Sequence, residues 1–233
     1  MRLDKFIVSC GMATRSEVKK LVKQGRVTVD GITVVKSDEK IDENTSVVCL
    51  DGEQLNYREF IYLMLNKPSG YVSATYDAKL PTVIDLVPEE YLHFEPFPVG
   101  RLDIDTEGLL ILTNDGKLAH ELTSPKKHVY KTYYAELDAD MEDADIEIFK
   151  NGIKLDEDFT TLPAELVITE DRKKVYISIC EGKFHQVKRM CQKVGKNVVY
   201  LERVKMGGLE LDGSLERGTV RELTNNEIQL IYK

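Results

Sequence analysis

An α+β fold is predicted, with a small N-terminal αα-β unit followed by a larger domain built on a largely antiparallel mixed sheet. Three observations predict it. Strand-like segments outnumber helical ones, the two kinds do not alternate as regular βαβ units would, and a polar stretch at 56–59 separates a short basic region from the rest of the chain. With 233 residues, 42% of them hydrophobic and 31% charged, the chain can bury one sizeable core and a second smaller one. The expected domains are residues 1–57 and 60–233.

Leu3, Phe6, Ile7 and Cys10 recur at helical spacing, and Gly11 ends the stripe. Thr14-Arg15-Ser16-Glu17 then forms a capping box for a second helix, whose buried face is Val18, Leu21 and Val22 and whose end is marked by Gly25. Val27 and Val29, then Asp30-Gly31, then Ile32 and Val34 read as two strands about a tight turn, because Asp-Gly accepts the positive φ such turns need. Arg15, Lys19, Lys20, Lys23 and Arg26 consequently gather on the outer side of the second helix and at its exit. The acidic run 38–43 and the polar stretch 51–54 read as edges of this unit.

A second core begins at Phe60. Ile61, Leu63 and Leu65 alternate as in a strand that Asn66-Lys67-Pro68-Ser69-Gly70 breaks with turn chemistry. Further strands are predicted at 109–113, 131–137, 164–168, 174–179 and 198–204. Two helices stand out among them. One covers 185–194 with Val187, Met190 and Cys191 inward, and the last opens at the capping box Thr224-Asn225-Asn226-Glu227 before Ile228 and Ile231.

Composition excludes several classes. No apolar run approaches the roughly 20 residues of a membrane span, and no signal-peptide core follows the N-terminus, so a cytoplasmic location is expected. Cys10, Cys49, Cys180 and Cys191 form no C-x-x-C pair and lack zinc-site spacing, so reduced thiols and no metal are expected. The net charge of −8 argues at first against a polyanionic partner, but it averages over opposed patches. Residues 1–36 carry +5 and residues 181–205 also carry +5, whereas residues 136–158 hold −8 in a stretch read as solvated surface.

Residues 100–110, Gly-Arg-Leu-Asp-Ile-Asp-Thr-Glu-Gly-Leu-Leu, hold the most chemical information. Asp103, Asp105, Glu107 and Gly108 follow the opening of a calcium loop, but the twelfth position is Asn114 where a bidentate Glu is needed. A turn whose short acids cap backbone amides is a second reading. A loop carboxylate acting as nucleophile or base is a third, and it needs a cation beside it to stay ionised in a dry pocket. Such a cation is available in Glu181-Gly182-Lys183-Phe184-His185-Gln186-Val187-Lys188-Arg189-Met190, where a helix would set Lys188 one turn from Phe184 and His185. Lys131-Thr132-Tyr133-Tyr134-Ala135 reads as a strand, and one of its rings could stack on a nucleobase.

Taken together and in this order, these segments resemble the RsuA/RluB/RluE/RluF group of ribosomal RNA pseudouridine synthases, over almost the whole chain. Residues 1–57, with Arg2-Leu3-Asp4-Lys5, Thr14-Arg15-Ser16-Glu17 and Val27-Thr28-Val29-Asp30-Gly31, resemble the S4 RNA-binding module. Residues 60–233 resemble the catalytic domain, with its first motif at Asn66-Lys67-Pro68-Ser69-Gly70, its second at 100–110 and its third at 181–190. The resemblance implies that Asp103 is the catalytic aspartate, that Asp105 is supporting at most, that Tyr133 is the active-site tyrosine and that Lys188 pairs with Asp103. It implies substrate contacts for Lys67, Arg101, His185, Gln186 and Arg189, and RNA contacts for Arg2, Arg15, Lys19, Lys20, Lys23 and Arg26.

The implied reaction isomerises a uridine flipped out of its stack, without a cofactor. Asp103 would act at C1′ as a nucleophile or at C2′ as a base. His185-Gln186-Val187-Lys188 resembles the small-subunit branch, so the implied partner is 16S ahead of 23S ribosomal RNA, free or in a subunit-assembly intermediate, and the chain is read as a monomer. A reading from another class is a non-catalytic assembly factor keeping Arg15, Lys19 and Lys23. Such a protein would have no need of Asp103, Tyr133 and Lys188 together.

Overall fold

The computed structural model describes residues 1–232, which form two compact units. The first comprises residues 1–61 together with Pro88–Glu95, and the second comprises Tyr62–Val87 and the chain from Pro96 onward. The division at 57–60 expected from sequence is therefore displaced, and an eight-residue excursion returns to the first unit. Local contacts explain the return. Gly11, at φ +73°, lies so close to the His93 ring that a Cβ there would meet it at 2.7 Å, and the Arg58 guanidinium sits 5.4 Å over the Phe94 ring.

In the first unit, helices α1 (Leu3–Ser9) and α2 (Arg15–Lys23) precede strands β1 (Val27–Val29), β2 (Ile32–Thr33), β3 (Val48–Leu50) and β4 (Glu53–Gln54), and the short α3 (Glu89–Leu92) belongs to the excursion. The capping box forms as its residues demand, with Thr14 Oγ1 accepting from Glu17 N and Glu17 Oε2 accepting from Thr14 N. Asp30-Gly31 adopts positive φ at both positions, and Asp51-Gly52 does the same between β3 and β4. The polar stretch 51–54 is thus a second hairpin in an antiparallel sheet of order β2-β1-β3-β4. Leu3, Phe6, Ile7, Val18, Val22, Val27 and Val48 close the core between the helices and the sheet, each fully buried side chain contributing about 1.5–3 kcal/mol.

The second unit is built on β5 (Tyr62–Lys67), β6 (Phe97–Pro98), β7 (Glu107–Thr113), β8 (Lys131–Leu137), β9 (Glu165–Ile168), β10 (Lys174–Ile179), β11 (Val198–Met206), β12 (Leu209–Glu210) and β13 (Val220–Glu222). The main path runs β13-β5-β7-β11-β8-β10-β9, and every neighbouring pair is antiparallel except β7–β11. Helices α4 (Gly116–Thr123), α5 (Asp143–Lys150), α6 (Gln186–Lys193) and α7 (Asn225–Leu230) complete it. Leu118 and Leu122 of α4 join Ile231, just beyond α7, over Met64, Leu109 and Ile111. On the other face of β5 and β7, Leu63, Leu65, Leu110 and Leu112 are equally buried. These strands carry no polar alternation because both faces lie in the core, which is why Asn66 and Lys67 are strand residues where a turn was expected.

The acidic stretch 136–158 also departs from expectation. It contains α5, where Phe149 is fully buried and the buried Asp145 accepts from the Lys196 ammonium at 2.7 Å. Ten acids obscured an amphipathic helix whose inward carboxylate has its cation 51 residues away. Asp145→Ala should lower stability by about 3–5 kcal/mol in urea unfolding, because it leaves the Lys196 charge buried and unpaired.

At the C-terminal capping box, hydrogen bonds from Arg221 and Thr224 outweigh burial and hold Glu227 down to about 2. A carboxylate depressed from 4.5 stabilises the fold fully above that value and ceases to as pH falls towards 2. Acid titration of stability should accordingly be flatter for Glu227→Gln than for the parent protein between these limits, and parallel curves would contradict the assignment.

Candidate active site

The loop between β6 and β7 carries Asp103, and its shape is set from beneath. Lys67 ends β5 with no exposed surface, and its ammonium donates to the main-chain carbonyls of Thr106 (2.8 Å), Pro68 (3.0 Å), Asp103 (3.2 Å) and Ile104 (3.3 Å). Ser73 Oγ donates to Leu102 O and accepts from Leu102 N, both at 3.0 Å, and Gly70 N donates to Ile104 O at 2.8 Å. Residues 67–73 thus hold 102–106 through backbone groups, leaving the side chain of Asp103 free to face outward. Lys67 is not available to a substrate, contrary to the expectation from the motif, because its donors are spent on carbonyls inside the fold. Burial pushes its ammonium down to about 8, against the opposing charges of Asp105, Glu107 and Asp103.

At the start of β7, Gly108 has φ +94°, and a Cβ on it would lie 2.4 Å from Arg203 O. The parallel β7–β11 pairing is possible at this point only because glycine lets the two backbones approach.

The N-terminus of α6 supplies the facing groups. His185 caps it in the left-handed region at φ +49°, and its ring lies against Phe184 with centroids 3.8 Å apart and planes 16° apart. Lys188 lies 2.5 Å from Asp105 Oδ1 and 3.5 Å from Asp103 Oδ2, while His185 Nε2 is 3.7 Å from Asp103 Oδ1. One ammonium therefore serves two carboxylates, and the nearer one is Asp105. Burial works to raise the Asp105 pKa, but the hydrogen bond and charge of Lys188 hold it below the ordinary carboxylate range. Asp103, Tyr133, His185, Lys188 and Arg101 line one cavity of about 570 Å³, a size that accepts a nucleoside. Among the described residues no three His, Cys, Asp or Glu side chains assemble as a metal site, and the calcium-like spacing at 103–108 does not become one.

Two other expected substrate residues are engaged elsewhere. Gln186 borders the cavity but is 3% exposed, accepting from Lys183 N at 3.0 Å and donating to Glu181 Oε1 at 2.9 Å, so it shapes the 181–186 turn. Arg189 pairs with Asp156 at 2.9 Å and does not reach the cavity. The basic region 181–205 is also partly internal, since Lys196 and Arg203 are buried. Lys131, two residues before Tyr133 on the buried side of β8, is a buried cation outside the cavity lining, and burial and the Arg203 charge push its ammonium down to about 8. The inward period of β8 was the only sequence signal of that burial.

In the first unit, Arg15 and Lys19 line a concave surface with Arg2 and the unanticipated Lys5. Arg2 is held by Asp4 at 2.6 Å and Arg26 by Asp51 through two hydrogen bonds, which reduces their availability to phosphates. Lys20 and Lys23 are exposed on α2.

The family model described as RNA pseudouridylate synthase matches residues 61–193, and that of the S4 domain matches residues 1–47. The chain belongs to the RNA pseudouridylate synthase family. It is similar to an uncharacterized RNA pseudouridine synthase of Bacillus subtilis, 49% identical over 99% of this chain and 98% of the relative. It is similar also to ribosomal small subunit pseudouridine synthase A of Escherichia coli, 42% identical over 98% of each chain. A crystal structure of a pseudouridylate synthase superposes with a TM-score of 0.70 at 38% identity, covering 99% of both chains. The protein is an isomerase of this family, and the Asp103 loop and the α6 N-terminus border the cavity described above.

Lys67→Met should leave carbonyls beneath Asp103 unpaired and loosen the loop, lowering kcat about 100-fold. Release of tritium from C5-labelled uridine in RNA measures it, with circular dichroism to verify folding.

Proposed function

We propose that this synthase converts a uridine of 16S ribosomal RNA to pseudouridine, with Asp103 as the catalytic carboxylate. The observation that carries the reading is the grouping of Asp103, Lys188 and Tyr133 around one cavity, in a chain whose residues 1–47 match the S4 domain. The relative named for the ribosomal small subunit supports the choice of RNA.

In this reading Arg15, Lys19 and Lys5 hold phosphates of the RNA, and the target base leaves its stack to enter the cavity. Asp103, which faces Lys188 and His185, acts at C1′ as a nucleophile whose bond to C1′ breaks when C5 attaches, or at C2′ as a base that returns the proton it takes. The N1–C1′ bond breaks, the base turns, C5 bonds to C1′, the C5 proton is lost and N1 gains one. Tyr133 stacks on the base during the turn. No redox change is involved. The substrate is free 16S RNA or an assembly intermediate, the enzyme acts in the cytoplasm, and a single chain carries the whole site.

Carbodiimide mapping of pseudouridine in 16S and 23S RNA tests the reading, using cells that lack the protein and are complemented with wild type or Asp103→Asn. Loss of one 16S site, restored by wild type and not by Asp103→Asn, is expected. A lost 23S site would overturn the choice of RNA, restoration by Asp103→Asn would overturn the role of Asp103, and no lost site in either RNA would overturn the ribosomal substrate.

A further inference from the structure

We propose that Phe184 is a stacking platform for the nucleobase adjacent to the uridine that enters the cavity. The inference rests on the RNA reading above and extends it to a second base.

Phe184 lines the same cavity as Asp103 and Tyr133, yet its side chain is 76% exposed, whereas Tyr133 is 9% exposed. The two rings therefore sit at different depths. A base deep enough to bring its ribose to Asp103 meets Tyr133, and the strand delivering that base must lay its neighbour across the rim. His185 covers one face of the Phe184 ring and leaves the other open. The backbone that carries the ring is also tied down. Its segment is tied by Lys183 N donating to Gln186 Oε1 and by Gln186 Nε2 donating to Glu181 Oε1, and His185 keeps a left-handed backbone beside it. A large apolar side chain fixed in water forfeits its burial energy unless something covers it. The rim supplies the other components of single-strand recognition, since Ile104 is 39% exposed there and Arg101 is an exposed cation without an ion pair among the described residues. Aromatic stacking beside a guanidinium suits a nucleobase and its phosphate, and tolerates any base.

The chain contains no tryptophan, so Phe184→Trp introduces a single reporter at the rim, and Tyr76→Trp, 79% exposed and outside the cavity lining, serves as a control. The probe is a 16S RNA transcript labelled with tritium at uridine C5. Phe184→Leu, which keeps an apolar side chain and loses the π face, should raise KM about ten-fold with kcat within about two-fold, and Phe184→Tyr should retain the wild-type KM. The transcript should quench the tryptophan at 184 and not that at 76. Wild-type KM in Phe184→Leu, or an unquenched reporter at 184, would overturn the platform while leaving the substrate reading intact. A fall in kcat at constant KM would put the ring on the reacting base instead and overturn it equally. A wild-type enzyme that neither binds nor turns over the transcript, whether free or assembled with small-subunit ribosomal proteins, would remove the substrate reading and the platform together.

Discussion

The site depends on one buried ammonium. Residues 102–106 lack the regular hydrogen bonding that would hold a carboxylate in a defined direction, and Lys67 supplies it by collecting carbonyls of Thr106, Asp103 and Ile104 from within the fold. The arrangement is costly, because burying an ammonium lowers its pKa to about 8. The negative charges of Asp105, Glu107 and Asp103 offset part of that cost. Two of these carboxylates, Asp103 and Asp105, also face Lys188, so they stabilise the cation underneath as well. Loop geometry and site electrostatics are one interaction seen from two sides.

The cations of this synthase divide by environment. Lys67, Lys131, Lys196 and Arg203 lie inside, where Lys67 and Arg203 hold carbonyls and Lys196 pairs with Asp145. Arg15, Lys19, Lys20 and Lys23 remain in water on the first unit and are free to meet phosphates. A net charge of −8 is compatible with a polyanionic partner because charges far from an RNA contact are screened, and the acids concentrate in 136–158.

Local chemistry was legible. Both capping boxes, the Asp30-Gly31 hairpin, the inward residues of α6 and the alternation of β8 depend on neighbours within a few positions, and the fold reproduces each. What required distant partners was hidden. The α5 helix reads as solvated acid until Lys196 is placed against Asp145, and β5 reads as ending before Asn66 until both its faces are seen to be buried. Lys67 and Arg189 look like substrate contacts in the motif, but the fold brings distant protein groups to each, the Thr106 carbonyl to one and Asp156 to the other.

By itself the sequence determined the α+β class, the two-part organisation, the family motifs and the residue types of the cavity, because hydrophobic period, turn chemistry and motif order are properties of neighbouring residues. Tertiary structure alone decided which cations are buried, that Lys188 stands nearer Asp105 than Asp103, that residues 88–95 return to the first unit, and that Phe184 stands open at the rim while Tyr133 lies deep. These are distances across elements far apart in the chain, and burial and charge pairing acquire values only once the backbone has closed around them.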